Sequence, residues 1–341
     1  MRRTIAIPLA LIAVSPAYAD DWCPVPVDQA QAWLATHPLR LPDQKAEPRP
    51  LSHVHTEGTL PHQGIRDESL EAERDWPVML NAALAWRAGV NEQHFETARR
   101  FLLGWVDRYT PDLNPIDETN LDALIDTYAI LSDRLEGAER DRVRAWLRKW
   151  GWDYVASIEH APKPGGTWTN NWQSHRIKLV TMIAAATGDD QLFVEARRLF
   201  RQQIAVNLLP DGQVADFAER DALHYVVYDL EPLLRAALAA RTYKGEDWYH
   251  WVAPGGASIA KSVAWLTPYA TGEQTHVEFV HSKVAFDAQR AAAGVKGFTG
   301  PFDTHNAATT YWLAARFDPA LRGIAQRLDP EPPPFATLCG N

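Results

Sequence analysis

Residues 167–179 read Thr-Trp-Thr-Asn-Asn-Trp-Gln-Ser-His-Arg-Ile-Lys-Leu. Two adjacent amides, Asn170 and Asn171, follow a Gly-Gly-Thr loop where a helix should begin. His175 comes one helical turn after Asn171, which sets amide and imidazole on one helix face. About fifty residues on, Glu219-Arg220-Asp221-Ala222-Leu223-His224-Tyr225 interrupts another apolar stretch. Amide, imidazole, guanidinium and phenol without an obvious carboxylate pair suit proton abstraction beside a carboxylate. That is the chemistry of β-elimination at a uronic acid rather than of hydrolysis at a neutral sugar.

Such an elimination has three demands. The weakly acidic C5 proton must be removed, the adjacent carboxylate must be neutralised so that the carbanion can spread into it, and the departing O4 must be protonated. Amide, imidazolium or guanidinium groups can neutralise electrostatically, and a tyrosine or histidine can move the protons. Asn171 is the candidate neutraliser, with His175 beside it and Asn170 as the helix cap, a position asparagine favours. Tyr225 is the candidate proton shuttle. A phenol ordinarily titrates near about 10, and Arg220 and His224 are close enough in sequence to lower that value. Leu223, Val226, Val227 and Leu230 mark the same helix as mainly buried, where polar groups need a reason. Trp168, Trp172 and Tyr228 are candidates to stack on sugar rings or to pack. Arg176 and Lys178 read as ordinary surface charges.

Two further polar clusters stand out. His53-Val54-His55-Thr56-Glu57 continues to His62 and Arg66. It reads as a loop lining the groove, with His55 near the substrate and Arg66 gripping carboxylates. Two histidines at i, i+2 also admit a metal, but no third and fourth ligand stand at a recognisable spacing, so no metal or other cofactor is expected. His276, Glu278, His281 and Lys283 form the other cluster, by default a set of structural pairs.

The positioning elements are helices. From Glu68 onward apolar residues recur at three- and four-residue spacing between short polar or Gly/Pro breaks. The pattern predicts helices at 68–89, 92–109, 119–134, 138–157, 170–187, 190–207, 217–241, 245–265 and 303–317, with a shorter one near Val27–Thr36. Thr275–Phe286 reads as a strand or a buried helix. No low-complexity linker divides the chain and no fixed-period repeat is present. The expectation is an all-α, single-domain α/α toroid or incomplete α/α barrel, with a looser solenoid as the alternative.

Composition sets the setting. Residues 1–19 carry Arg2 and Arg3, an apolar run and Ala17-Tyr18-Ala19, the pattern of a signal peptide. Residues 20–67 then form an N-terminal extension and groove-lining loop, and 68–341 the helical domain. The apolar run is too short to span a bilayer, and no later stretch is long enough, so a periplasmic or secreted chain is expected. The net charge of −9, with 34 basic against 43 acidic residues, argues against nucleic acid or an anionic membrane as partner. A polyanionic substrate would need the few cations gathered in one groove. The two cysteines, Cys23 and Cys339, would pair as one disulfide in an oxidising compartment. Most of the 14 tryptophans should be core, and a monomer is the simplest assembly.

Asn170-Asn171 with a histidine one turn later, followed by a helix carrying Arg220 and Tyr225 ahead of Leu230-Glu231-Pro232-Leu233, resembles the alginate-lyase family of α/α-toroid polysaccharide lyases. The resemblance spans roughly Trp76 to Leu238. It implies Asn171 as neutraliser, Tyr225 as proton-transfer residue, and His175 and Arg220 in support. Trp172 stands where better-known members place a histidine, and Ala218 where they place the arginine, so the histidine role would pass to His175 or His224. In β-D-mannuronate and β-D-glucuronate H5 and O4 lie on the same side, so one tyrosine can act as base and then acid. The expected substrate is therefore polymannuronate-type alginate or glucuronan. Competing readings are a glycoside hydrolase using two of Asp117, Glu118, Asp216, Glu219 and Asp221, and a non-catalytic polysaccharide-binding protein.

Overall fold

A computed structural model describes residues 31, 45–162 and 165–333. From residue 45 on, the described residues form thirteen α-helices in order: α1 Arg66–Glu73, α2 Asp75–Arg87, α3 Gln93–Arg108, α4 Asp122–Leu131, α5 Gly137–Glu159, α6 Asn171–Thr187 and α7 Asp190–Asn207. Then come α8 Ala215–Arg220, α9 Leu223–Lys244, α10 Ile259–Ala270, α11 Ala285–Ala292, α12 Ala308–Ala314 and α13 Arg322–Leu328. Among the described residues β-pairing is limited to two isolated bridges, Leu208 with Val214 and Val277 with Pro301.

The helices form two layers. In the inner layer α2, α4, α6, α9 and α12 each pack on the next, and α3, α5, α7 and α10 pack against them from outside. Sequence chooses the layer. In α6 every residue except Trp172 is buried, so the helix has no polar face to show to water. In α7 the buried set Leu192, Phe193, Ala196, Leu199, Phe200 and Ile204 recurs every three or four residues, leaving Arg197, Arg198 and Arg201 outside. One apolar stripe is what a helix on the rim requires. Trp76, Trp105 and Trp150 fill the interior as expected, each contributing about 2–3 kcal/mol of burial.

Start and stop signals account for the boundaries around the site. The Asn170 side chain accepts a hydrogen bond from Trp172 N at 3.1 Å and so caps α6, while Gly188 ends it in the left-handed conformation at φ 63°. The long helix expected at 217–241 is broken: Asp221 at φ 50° and extended Ala222 make an elbow between α8 and α9. The helix expected at 245–265 starts late: α9 runs on to Lys244 and ends at Gly245, and 246–258 is irregular, because Pro254-Gly255-Gly256 delays the next start to the Ser258 cap. The 68–89 helix is interrupted at Arg74, since Pro77 has no N–H to continue the ladder. Residues 275–284 are neither strand nor helix but turns with the single bridge at Val277, and the next helix, α11, begins only at Ala285. The helix near Val27–Thr36 and the Cys23–Cys339 pairing lie outside the described residues, Gln31 apart.

One buried carboxylate fixes the floor beneath the site. Glu118, fully buried, accepts from Tyr109 Oη at 3.1 Å, Trp150 Nε1 at 2.9 Å, Asp112 N at 3.0 Å and Tyr154 Oη. Burial pushes its carboxyl up to about 7, against the pull of those donors. The bonds lock the 112–121 segment onto α3 and α5. That segment carries Thr119, which meets His175, and Asp117, which holds the loop before α1.

Candidate active site

The site is a groove of about 630 Å³ at the N-terminal ends of the inner helices α6 and α9. Glu57–Thr59 and Arg66 form one wall, Gly166–Thr167 and Asn170–Trp172 the second, Glu219–Tyr228 the floor, and Val284–Phe298 the third wall. A second cavity of about 470 Å³ shares His224 and Tyr228 with it and continues past them toward Glu231, Lys296 and Asn306.

Tyr225 occupies the floor. Its phenol oxygen accepts from Arg220 Nη2 at 2.6 Å and from Arg290 Nη1 at 3.2 Å. The Arg220 guanidinium also lies over the Tyr225 ring, 3.8 Å from its centroid. Asp287, buried, binds Arg220 through both oxygens, by Nε at 2.8 Å and by Nη2, and also accepts from Ser282 Oγ at 2.6 Å. The phenol is therefore held between two cations. Burial nevertheless raises its pKa above the ordinary value, with Arg220 and Arg290 opposing the rise. The sequence expectation of a lowered value is corrected in sign, because desolvation outweighs the cations.

Asn171, the first residue of α6, is clamped from α8. Its backbone N–H donates to Asp216 Oδ2 at 2.9 Å and its Nδ2 to Asp216 Oδ1 at 2.5 Å. This satisfies one of the donors a helix start leaves free and decides which end of the amide is nitrogen. Burial pushes the Asp216 carboxyl up to about 6 despite the two Asn171 bonds. Behind it, Asp229 accepts from Ser174 Oγ and Asn207 Nδ2, both at 2.7 Å.

The histidines are placed unequally. His224 lines both cavities, edge-on to Tyr225 and parallel to Tyr228. Burial first, then Arg220 and Arg290, push its pKa down to about 4, so the ring is neutral at neutral pH. His175 does not line the groove. It is buried with Nδ1 2.6 Å from Thr119 Oγ1 and its ring packed on Tyr228, and burial holds it well below its ordinary pKa. The i, i+4 spacing does put it on Asn171's side of the helix, but α6 is enclosed all round and that side is covered.

Of the other expected residues, Asn170, Trp172, Tyr228 and Arg66 line the groove. Arg66 is tied back, with Nη1 donating to Thr56 O at 2.8 Å. Trp168 and His55 do not line it: Trp168 carries the Arg176 guanidinium 3.9 Å from its ring centroid, and His55 Nδ1 pairs with Asp117 Oδ2 at 2.8 Å. Arg176 and Lys178 are buried rather than surface charges, Lys178 pairing with Asp122 at 2.9 Å. Asp221, beside the site and open in sequence to orienting a histidine or pairing with Arg220, lies 3.5 Å from His276 Nε2 and does not pair with Arg220. It accepts from His281 N at 2.8 Å, and Asp287 takes the arginine. Of the hydrolase carboxylates, Asp117 caps Thr56 N and Glu57 N at 2.7 Å each, Glu118 is core, Asp216 holds Asn171 and Asp221 holds the elbow, which leaves Glu219 as the one of the five that lines the groove. Sequence reading missed Arg290, Asp287 and the role of Asp216. Only Asp216 left a signal, as a carboxylate weighed for hydrolysis just ahead of the helix expected at 217–241.

A sequence profile described as alginate lyase matches residues 24–276. The chain belongs to the alginate lyase family. It is thus a polysaccharide lyase, which removes the hydrolase and pure-binding readings. No curated protein matches it in sequence. Among solved structures, alginate lyase A1-III from Sphingomonas species A1 is similar at 17% identity and TM-score 0.57, over 75% of this chain and 79% of that one. A histidine-to-alanine variant of A1-III without ligand gives 16% and 0.65, over 95% of each chain. An alginate lyase from Bacteroides ovatus gives 16% and 0.57, over 95% and 92%. At these identities the likeness shows the fold, a single-domain α/α toroid as expected. The family match stops at residue 276, before the segment that carries Asp287 and Arg290. No helix among the described residues is long and apolar enough to cross a membrane.

Proposed function

We propose that this lyase cleaves a β-1,4-linked uronan, polymannuronate-type alginate or glucuronan, by syn β-elimination. The observation that carries the reading is the Tyr225 phenol oxygen held on the groove floor by Arg220 and Arg290, with Asn171 lining the same groove. Two cations at one phenol favour its deprotonated form over that of an isolated buried tyrosine. Asn171 offers its remaining amide N–H to the substrate carboxylate, which strengthens as charge develops there. The Tyr225 phenolate takes H5 and the electron pair spreads into the carboxyl. The C4–O4 bond then breaks as C4=C5 forms, and Tyr225 returns the proton to O4. Neutral His224, beside Tyr225, serves as a hydrogen-bonding partner of the sugar or of the shuttled proton rather than as a cation. Trp172 and Tyr228 provide aromatic faces for the sugar rings and Asn170 polar contact. His175, Trp168 and His55 support this site from behind. The Ala17-Tyr18-Ala19 pattern supports a periplasmic or secreted enzyme.

The test is absorbance in the near ultraviolet, where the conjugated double bond of the product appears, on separate samples of polymannuronate, polyguluronate and glucuronan. A rise on polymannuronate or glucuronan is expected. α-L-Guluronate carries H5 on the opposite side from O4, so a rise confined to polyguluronate contradicts the single-tyrosine mechanism.

A further inference from the structure

The carboxylate to be neutralised sits on C5, the carbon whose proton goes to Tyr225. Its cation must therefore lie beside the Tyr225 oxygen. Within hydrogen-bonding distance of that oxygen are two guanidinium groups, Arg220 and Arg290. Arg220 is already spent: Asp287 binds it through Nε and Nη2, the phenol takes Nη2 as well, and its face lies on the Tyr225 ring. Arg290 is different. Its one ion pair among the described residues, with Asp287, is loose at 3.9 Å, because the Asp287 oxygens already serve Arg220 and Ser282. Its guanidinium lies over the rings of Phe286, 4.4 Å from the centroid, and Phe298, at 4.9 Å. Contacts with ring faces hold the guanidinium plane and leave its N–H edge available, the edge that matches a carboxylate.

The element bearing Arg290 is strapped to the elbow that presents Tyr225. Glu278 accepts from Leu223 N at 3.1 Å and His224 N at 3.2 Å. Phe279 N donates to Asp221 O at 2.8 Å, and Lys283 N to Glu219 O at 3.0 Å. The two walls are thereby fixed to each other before any ligand arrives, the preorganisation that electrostatic catalysis needs.

We propose that Arg290 is a catalytic residue that receives the uronate carboxylate at the cleavage site, sharing it with the Asn171 amide. The assignment rests on the lyase reading of the same groove. Neutral His224 and His175 leave no imidazolium to compete for the task, and Arg66 sits on the far wall, its Nη1 on backbone carbonyls.

The experiment compares a free-acid uronan oligomer with its methyl ester, in wild type and in Arg290→Gln, reading kcat/KM from double-bond absorbance. The variant is expected to lose about 100-fold or more on the free acid and much less on the ester. Its acid-to-ester ratio then falls at least about tenfold below that of wild type. Arg290→Lys, which keeps the charge but not the fork, should show a smaller fall and covers the case in which the glutamine variant fails to fold. An unchanged acid-to-ester ratio in the folded variants overturns the assignment. Wild type that forms no double bond on any uronan overturns instead the lyase reading beneath it.

Discussion

Replacing Asp216 by asparagine separates what this carboxylate does for stability from what it does for the site. Asp216 is 1% exposed and binds the backbone N–H and the Nδ2 of Asn171. Burial raises its pKa from 3.8 to about 6. A carboxyl raised on folding contributes stability that is fully present below about pH 4 and is lost as pH rises through about 6. By pH 7 that loss is about 3 kcal/mol. Asparagine mimics the protonated form and removes the loss, but it keeps one acceptor oxygen where two were used. Losing one hydrogen bond to a charged group costs about 1.5–3 kcal/mol, so the two effects nearly cancel. Urea unfolding at pH 7 should therefore give wild-type stability to within about 2 kcal/mol, with the decline between pH 4 and 6 flattened. Activity should behave differently. With an N–H2 at position 216 facing the Asn171 N–H2, the amide loses its fixed orientation, and kcat should fall by about 10²–10³-fold, as for other preorganised donors. Wild-type turnover in Asp216→Asn, or a loss above about 4 kcal/mol with the pH dependence intact, would refute this reasoning.

Two further outcomes follow from the buried groups. Glu118→Ala strands the Tyr109, Tyr154 and Trp150 donors in the core, and should lower the unfolding free energy by about 3–5 kcal/mol, read from the urea midpoint. For His224, with its pKa pushed down to about 4, imidazole NMR signals should remain those of the neutral ring from pH 8 down to about pH 5. A midpoint near 6.5 would contradict the burial of that ring. Because the native pKa is depressed, the stability it contributes is present above about pH 6.5 and is lost as pH falls through about 4.

Sequence periodicity made the helical layers legible because each outer helix must bury one stripe, and α7 repeats its apolar residues accordingly. Asn170 signals the start of α6 by local chemistry alone. The inner helix α6 hid more. Buried on all sides, it offers no face from which to tell His175, which points into the interior, from Asn171, which reaches the groove. Arg290 was not legible, since α11 is a single eight-residue helix whose importance comes from a contact with Tyr225 65 positions away. The turns at 275–284 were misread because their backbone follows long-range bonds to Asp221 and Glu219, not a repeating pattern. The direction of the Tyr225 pKa was misjudged for a related reason. Neighbouring charges can be read from sequence, whereas the depth of burial that outweighs them cannot.

If Tyr225 moves the proton, Tyr225→Phe must abolish the chemistry and spare the binding. The ring and its packing against Phe279 and the Arg220 guanidinium are kept, while the oxygen bound by Arg220 and Arg290 is removed. Double-bond formation should be followed at matched enzyme concentration on the uronan that wild type cleaves, with substrate binding measured in parallel by calorimetry. Turnover should drop by about 10²–10⁴-fold while affinity stays within about threefold. A phenylalanine variant that forms the double bond at the wild-type rate would contradict proton transfer by Tyr225.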